Sequence, residues 1–339
     1  MSDDYPRLKR FSNRRFSNVI SEGFYLFGKT YLQLIIPLGL ILIVSLIIKN
    51  LILVDLDWQL LTLTPVIEVI IGKDPSIITP EEVNHLFEFL TLFLSTGILN
   101  NLTLSVFNVF GMCLVSNYLF TKFSGSPSNF FTEVKKAFKG KLLLVILLLG
   151  VGISIGSFLL FIPSIIIFGF FIFYIFTYHS EEGVQPLKEA RELARGAFWK
   201  IIGIFIITNL IVSICTIIFQ MVVDPFLPQI STSSWYNPAT RNYGFIILYD
   251  LLYHLPELLL APLFICLLTS LYAGLKNKRE QQTQYRSSYY QSSQSFEASG
   301  AEASKNLNSG MYCPFCGKYM KIKIDFCPHC GEKLDFKIK

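Results

Sequence analysis

Charge is what this sequence has least of. Asp, Glu, Lys and Arg make up 16% of its 339 residues, against roughly 25% in an average soluble chain. The soluble stretches contain no Ser-His-Asp set, no phosphate-binding loop and no paired catalytic carboxylates, so no enzyme is expected. Seven scattered cysteines do not make a disulfide-rich secreted domain. A hydrophobic content of 52% excludes wholly disordered and collagenous classes. Mean hydropathy is +0.49, and the uncharged runs are too long for an ordinary globular core. The charge that exists is unevenly placed. Residues 1–275 hold 18 basic and 18 acidic residues, and residues 276–339 hold 11 and 6, so the tail carries the whole net +5.

The uncharged runs are Thr30–Ile48, Phe89–Thr121, Leu142–Tyr178, Ile201–Val223 and Leu258–Leu275. A helix crossing about 30 Å of hydrocarbon needs roughly 20 residues. Leu142–Tyr178 is too long for one crossing, and Pro163 near its middle supplies a break, since proline lacks the N–H and clashes with the preceding turn. Phe89–Thr121 could be one long helix or a tight hairpin.

Basic residues in the loops decide between those two. With one span in Phe89–Thr121, the segments 1–29, 122–141 and 179–200 fall on one side with 15 Lys and Arg, against Lys73 and Arg241, 2 residues, on the other. Lys49 sits where it can snorkel from a helix end. The positive-inside rule then puts both termini in the cytoplasm. The expected fold is an all-α polytopic membrane bundle of six transmembrane helices, about 30–54, 97–121, 142–161, 164–180, 201–223 and 256–275, within a membrane domain 1–275. Amphipathic cytoplasmic helices accompany the spans. No signal peptide is expected, because the first apolar run starts near residue 30 with no small-residue cleavage site after it. The expected location is the cell membrane.

Each basic segment reads as a short amphipathic helix running into a span. Their apolar faces are Phe16, Val19, Ile20, Gly23, Phe24 and Phe27; then Phe131, Val134 and Phe138; then Leu187, Ala190, Leu193, Ala194 and Ala197, with Pro186 suited to a first helical position. Glu22, Glu133 and Glu189 align, which suggests a unit of surface helix plus two spans used three times. Basic loop helices are also common in any multi-pass protein. The stretch Glu182-Gly-Val-Gln-Pro-Leu-Lys-Glu-Ala, then Leu193-Ala-Arg-Gly-Ala-Phe-Trp-Lys, together with Ser21-Glu22-Gly-Phe-Tyr-Leu-Phe, resembles the membrane domain of glycerophosphoryl diester phosphodiesterases over roughly residues 16–275. That family's soluble hydrolase barrel has no counterpart here, so the resemblance implies a membrane domain without the phosphodiesterase activity.

Residues 276–310 are rich in Gln, Ser and Asn and are expected to be a disordered linker. Residues 311–339 carry Cys313-Pro-Phe-Cys316-Gly317 and Cys327-Pro-His-Cys330-Gly331. Two such knuckles can place four thiolates tetrahedrally at about 2.3 Å from one Zn²⁺. Between them Met320, Ile322, Ile324 and Phe326 alternate with Lys321, Lys323 and Asp325, as a strand should. The segment resembles a small β zinc ribbon, with Cys313, Cys316, Cys327 and Cys330 as ligands of a structural Zn²⁺. Disulfides and a redox Cys-x-x-Cys are the alternatives, and a cytosolic tail disfavours the first. His329 could substitute for a ligand or simply face solvent. The ribbon is mildly basic, and docking to a protein, or to anionic lipid headgroups, is more economical for it than nucleic-acid binding, with a protein partner preferred.

Asp250, His254 and Glu257 share a helix face that could form a proton relay, or an ordinary helix end at the outer surface. Asn101, Asn108, Asn117 and Asn209 fall inside spans, and Gly152 and Gly156 permit close helix contact. The preferred expectation is a non-enzymatic membrane protein whose cytoplasmic zinc ribbon recruits or senses a protein partner. The rival is a transporter or lipid-handling protein with a regulatory tail, which a polar cavity lined by Asn108, Asn117 and Asn209 would favour.

Overall fold

The computed structural model describes residues 16–138, 141–158, 161–179, 185–225 and 233–299, and in the C-terminal segment 311–313, 319–320, 326–327 and 329. The chain divides after Ala273 into a helical unit and a C-terminal unit. In chain order the helices are α1 (Phe16–Ile71), α2 (Pro80–Phe123), α3 (Phe130–Ala137), α4 (Lys141–Phe158), α5 (Ile162–Thr177), α6 (Pro186–Arg195), α7 (Phe198–Val223), α8 (Ser233–Tyr236), α9 (Tyr243–Tyr253) and α10 (Leu255–Ser299). Five helices, α1, α2, α4, α7 and the Leu255–Glu280 stretch of α10, are long and apolar enough to cross a membrane. The expected span 164–180 is represented by α5, which is apolar but shorter.

α1 has 56 residues and α2 has 44, roughly 84 Å and 66 Å at 1.5 Å per residue. The uncharged run Phe89–Thr121 thus lies in one helix, not a hairpin. A short turn after Ile71 joins α1 to α2, which starts at a Thr79–Glu82 capping box with Pro80 in the first turn. The two helices run antiparallel. Lys73 pairs with Glu82 near the turn, Gly111 meets Leu38 and Ile41 farther along, and Tyr118 donates to Gln33 Oε1 at the far end. This pairing accompanies α1 past its two internal prolines, Pro37 and Pro65.

α4 and α5 form the hairpin that Pro163 predicts, displaced by a few residues. Phe161, with φ at 61°, makes the reversal, and Pro163 lies in the first turn of α5. The helices nearly touch at Gly156, where a Cβ would lie 2.7 Å from Ser164 N. A π-helical turn over Ile146–Val151 brings Gly150 against Val106 of α2.

Burial distinguishes the helices sharply. Of the most apolar 18-residue window of α10, 67% is buried, against 17% for α7. α10 is thus the more enclosed of the two, and α1 comes close to it at Gly23, whose Cβ would lie 2.8 Å from Leu267 Cα. At the end bearing the basic segments the core is aromatic and well bonded. Phe176 stacks on Tyr272 with ring centroids 4.4 Å apart, and Tyr178 donates to Ala137 O at 3.1 Å.

The three amphipathic segments fare differently. In the third, Ala190, Leu193, Ala194 and Ala197 are buried as expected, while Leu187 is exposed. The first is the opening of α1 and buries Val19, Gly23 and Leu26, while Phe24 is exposed. The second is inverted. Phe131 and Phe138 are 80% and 62% exposed, whereas Glu133 and Ala137 are buried. The cause is local: Glu133 accepts from Asn117 Nδ2 and pairs with Lys136, which turns the polar side inward.

In the C-terminal unit, β1 (Met311–Tyr312) and β2 (Tyr319–Met320) pair antiparallel, Met311 opposite Met320 and Tyr312 opposite Tyr319. The expected linker 276–310 is helical as far as Ser299, and residues 300–310 lie outside the described residues.

Candidate functional site

α7 is fastened to the helical unit by its first half. The Phe198 ring fills the space over Gly169, Phe16 lies on Gly203, and the buried residues of α7 end at Thr208. Beyond that point a chamber of about 630 Å³ lies between α7 and the helices α1, α2 and α10. This volume is in the range of small-molecule sites. Most of the wall is aliphatic or aromatic. Phe168, Phe205 and Phe264 form one side, with ring centroids 4.9 to 6.4 Å apart.

Six neutral polar residues interrupt that wall: Ser105 and Asn108 from α2, and Thr208, Asn209, Ser213 and Thr216 from α7. Those of α7 follow one another at helical spacing, so they form a stripe along the face turned to the chamber. Thr208 is 5% exposed, yet its hydroxyl and that of Thr216 have no hydrogen-bond partner among the described residues. Asn209 Nδ2 donates to Phe205 O at 2.8 Å. Two of the three asparagines expected in a polar cavity are therefore there. Asn117 is not, because it is bound to Glu133. Thr208, Ser213 and Thr216 escape a reading based on amide side chains.

At the first turn of α10, Glu257 lines the chamber and connects it to a charged cluster. Asp250, His254 and Glu257 do converge, although the helix is interrupted at His254, between α9 and α10. Asp250 is held from α1: Lys49 Nζ lies 2.8 Å from its Oδ2, and Asn50 Nδ2 donates at 2.7 Å. Lys49, within α1, thus pairs with Asp250 of α9 and does not sit at a helix end. His254 bridges the two acids, with Nε2 3.4 Å from Asp250 and Nδ1 2.9 Å from Glu257. Burial works to raise the Asp250 carboxyl, but hydrogen bonds from His254, Lys49 and Asn50 outweigh it and hold it at about 2. Hydrogen bonds to Asp250 and Glu257 raise the His254 imidazole to about 9. The cluster is a charged clamp joining α1 to the α9–α10 junction.

Of the four expected metal ligands, Cys313 and Cys327 are described, and each is 1% exposed. Cys313 directly follows β1, so the first knuckle begins at the hairpin's end. The His329 backbone N–H donates to Cys327 Sγ at 3.4 Å. The His329 side chain is exposed. Cys316 and Cys330 lie outside the described residues, and among the described residues no three His, Cys, Asp or Glu gather to hold a metal.

Comparison with known proteins leaves this geometry to stand by itself: no family model, curated protein or solved structure matches the chain.

Proposed function

We propose that this chain is a non-enzymatic, lipid-handling membrane protein that holds an amphiphile in the chamber beside α7 and carries a zinc-bound regulatory tail. One observation carries the reading: the hydroxyls of Thr208 and Thr216, which have no partner among the described residues, line a largely apolar chamber between helices of membrane-spanning length. Within hydrocarbon, each unsatisfied polar group costs several kcal/mol. Such groups persist where a ligand or a polar path uses them. The chain crosses six times, α5 being the short crossing, and both termini are cytoplasmic; the 15 to 2 division of basic residues supports this topology. Native mass spectrometry of the full chain released from mild detergent tests the reading. One retained amphiphile per chain is expected, and Ser213→Trp, which fills the chamber, should remove it. Equal lipid retention by both proteins would refute the reading.

Zn²⁺ is held by Cys313, Cys316, Cys327 and Cys330. The burial of both described thiols in a short segment and the N–H directed at Cys327 Sγ support this set. With all four positions filled by protein, the metal would be structural and would supply the folding energy of a segment too short for its own core. About one zinc per full chain is expected by elemental analysis, lost in Cys313→Ser with Cys327→Ser; an unchanged metal content would remove the ribbon from the account. A folded ribbon also supports a second reading, recruitment of a cytoplasmic protein partner. Crosslinked pull-down from membranes with and without those substitutions separates the two roles of the tail.

A further inference from the structure

We infer that the chamber takes an amphiphile with a neutral, hydroxyl-bearing head of the glycerol or sugar type. The inference rests on the lipid-handling reading and specifies its ligand. Hydroxyls and carboxamides both donate and accept hydrogen bonds, which is what a polyol needs, since each of its hydroxyls does the same. The chamber presents six such side chains on two facing helices: Ser105, Asn108, Thr208, Asn209, Ser213 and Thr216. Thr208 supplies the sharpest indication, a hydroxyl on a residue 5% exposed that nothing among the described residues satisfies.

Charged heads fit poorly. A phosphate calls for Arg or Lys within reach, and no Lys or Arg lines the chamber among the described residues. Burying that charge unpaired would be costly. A cationic head calls for a carboxylate or an aromatic cage. The only carboxylate lining the chamber among the described residues is Glu257, which is already engaged by His254 at 2.9 Å, and His254 in turn by Asp250. A cation there would have to break the clamp. The aliphatic walls and the three phenylalanines then accommodate an acyl chain, while the stripe on α7 engages the head.

The test uses the full chain in nanodiscs with a diazirine-bearing stearoyl reporter that labels the chamber, and competition by oleyl chains with different heads. Monooleoylglycerol should displace the reporter at a concentration about tenfold lower than oleyl phosphate, oleyl trimethylammonium or oleyl alcohol, the effect of one or two added hydrogen bonds. Asn209→Leu and Asn108→Leu should each erase that advantage while displacement by oleyl alcohol stays as it was. If oleyl phosphate or oleyl trimethylammonium competes best, or if all four compete equally, the head assignment is wrong and the lipid-handling reading stands. If the reporter never labels the chamber, both fall.

Discussion

Helices α7 and α10 have similar apolar windows, with mean hydropathy 2.7 and 2.2, yet 17% of the first and 67% of the second is buried. The more hydropathic helix is the less buried one. In water the order would be reversed, because apolar area drives burial there. In lipid the driving force is packing, and small residues decide which helices meet. α10 is met by Gly23 of α1, and its neighbours Phe120, Phe173 and Phe176 close over Tyr272. α7 has its closest glycine contacts only near its first turns, at Gly169 and Gly203. The remainder of α7 stands away from α1, α2 and α10, and its polar stripe faces the resulting chamber.

The largest expected effect is at the α1–α10 contact. A Cβ at Gly23 would lie 2.4 Å from Leu267 Cδ2 and 2.8 Å from Leu267 Cα, so backbone must move. Gly23→Ala should cost about 1–3 kcal/mol, measured as unfolding in detergent. Gly28, five residues on, has nothing within 4 Å of its added Cβ, so Gly28→Ala should be neutral or stabilise by up to about 1 kcal/mol through helix propensity. Equal effects would mean that α10 is not tightly packed.

Next is the clamp. Asp250→Asn leaves Lys49, 13% exposed, beside a neutral amide, and should cost about 1–3 kcal/mol. The pH dependence has a defined sign. His254 is raised from 6.5 to about 9, so its contribution is complete below pH 6.5 and is lost as pH rises through about 9. Melting temperature should fall across that window in the native chain, and the fall should shrink in Asp250→Asn. A flat native profile would show that the clamp does not bear on stability.

The smallest stability effect belongs to α7. Thr208→Val replaces an unpartnered hydroxyl with a methyl group, and should be neutral or stabilising by about 1 kcal/mol while weakening amphiphile retention. Loss of stability together with retained ligand would make Thr208 a packing residue.

The long apolar helices were legible because each coincides with an uncharged run long enough to cross a bilayer, and Pro163 marked the α4–α5 reversal within a few residues. The full extents of α1 and α2 were not, since both continue through charged sequence: Asp55, Asp57 and Glu68 in one, Glu81, Glu82 and Glu88 in the other. The inward face of α3 was hidden because a single buried carboxylate, Glu133, overrides two apolar residues, Phe131 and Phe138, once Asn117 is there to bind it. At the chamber, Asn108 and Asn209 stood out in the sequence as amides in uncharged spans. Thr208 and Thr216 did not, because a helical threonine ordinarily bonds back to its own helix, as Thr30 does to Leu26 O. Only the structure shows which hydroxyls do not.

The most direct test is to map where a photoactivatable acyl chain attaches in the full protein. Label concentrated on the chamber-facing positions Ser105, Asn108, Ser213 and Thr216, and abolished by Ser213→Trp, is the predicted result. Label spread evenly over the outward residues of α7, such as Leu210, Ile214 and Met221, and unchanged by that substitution, would contradict the account.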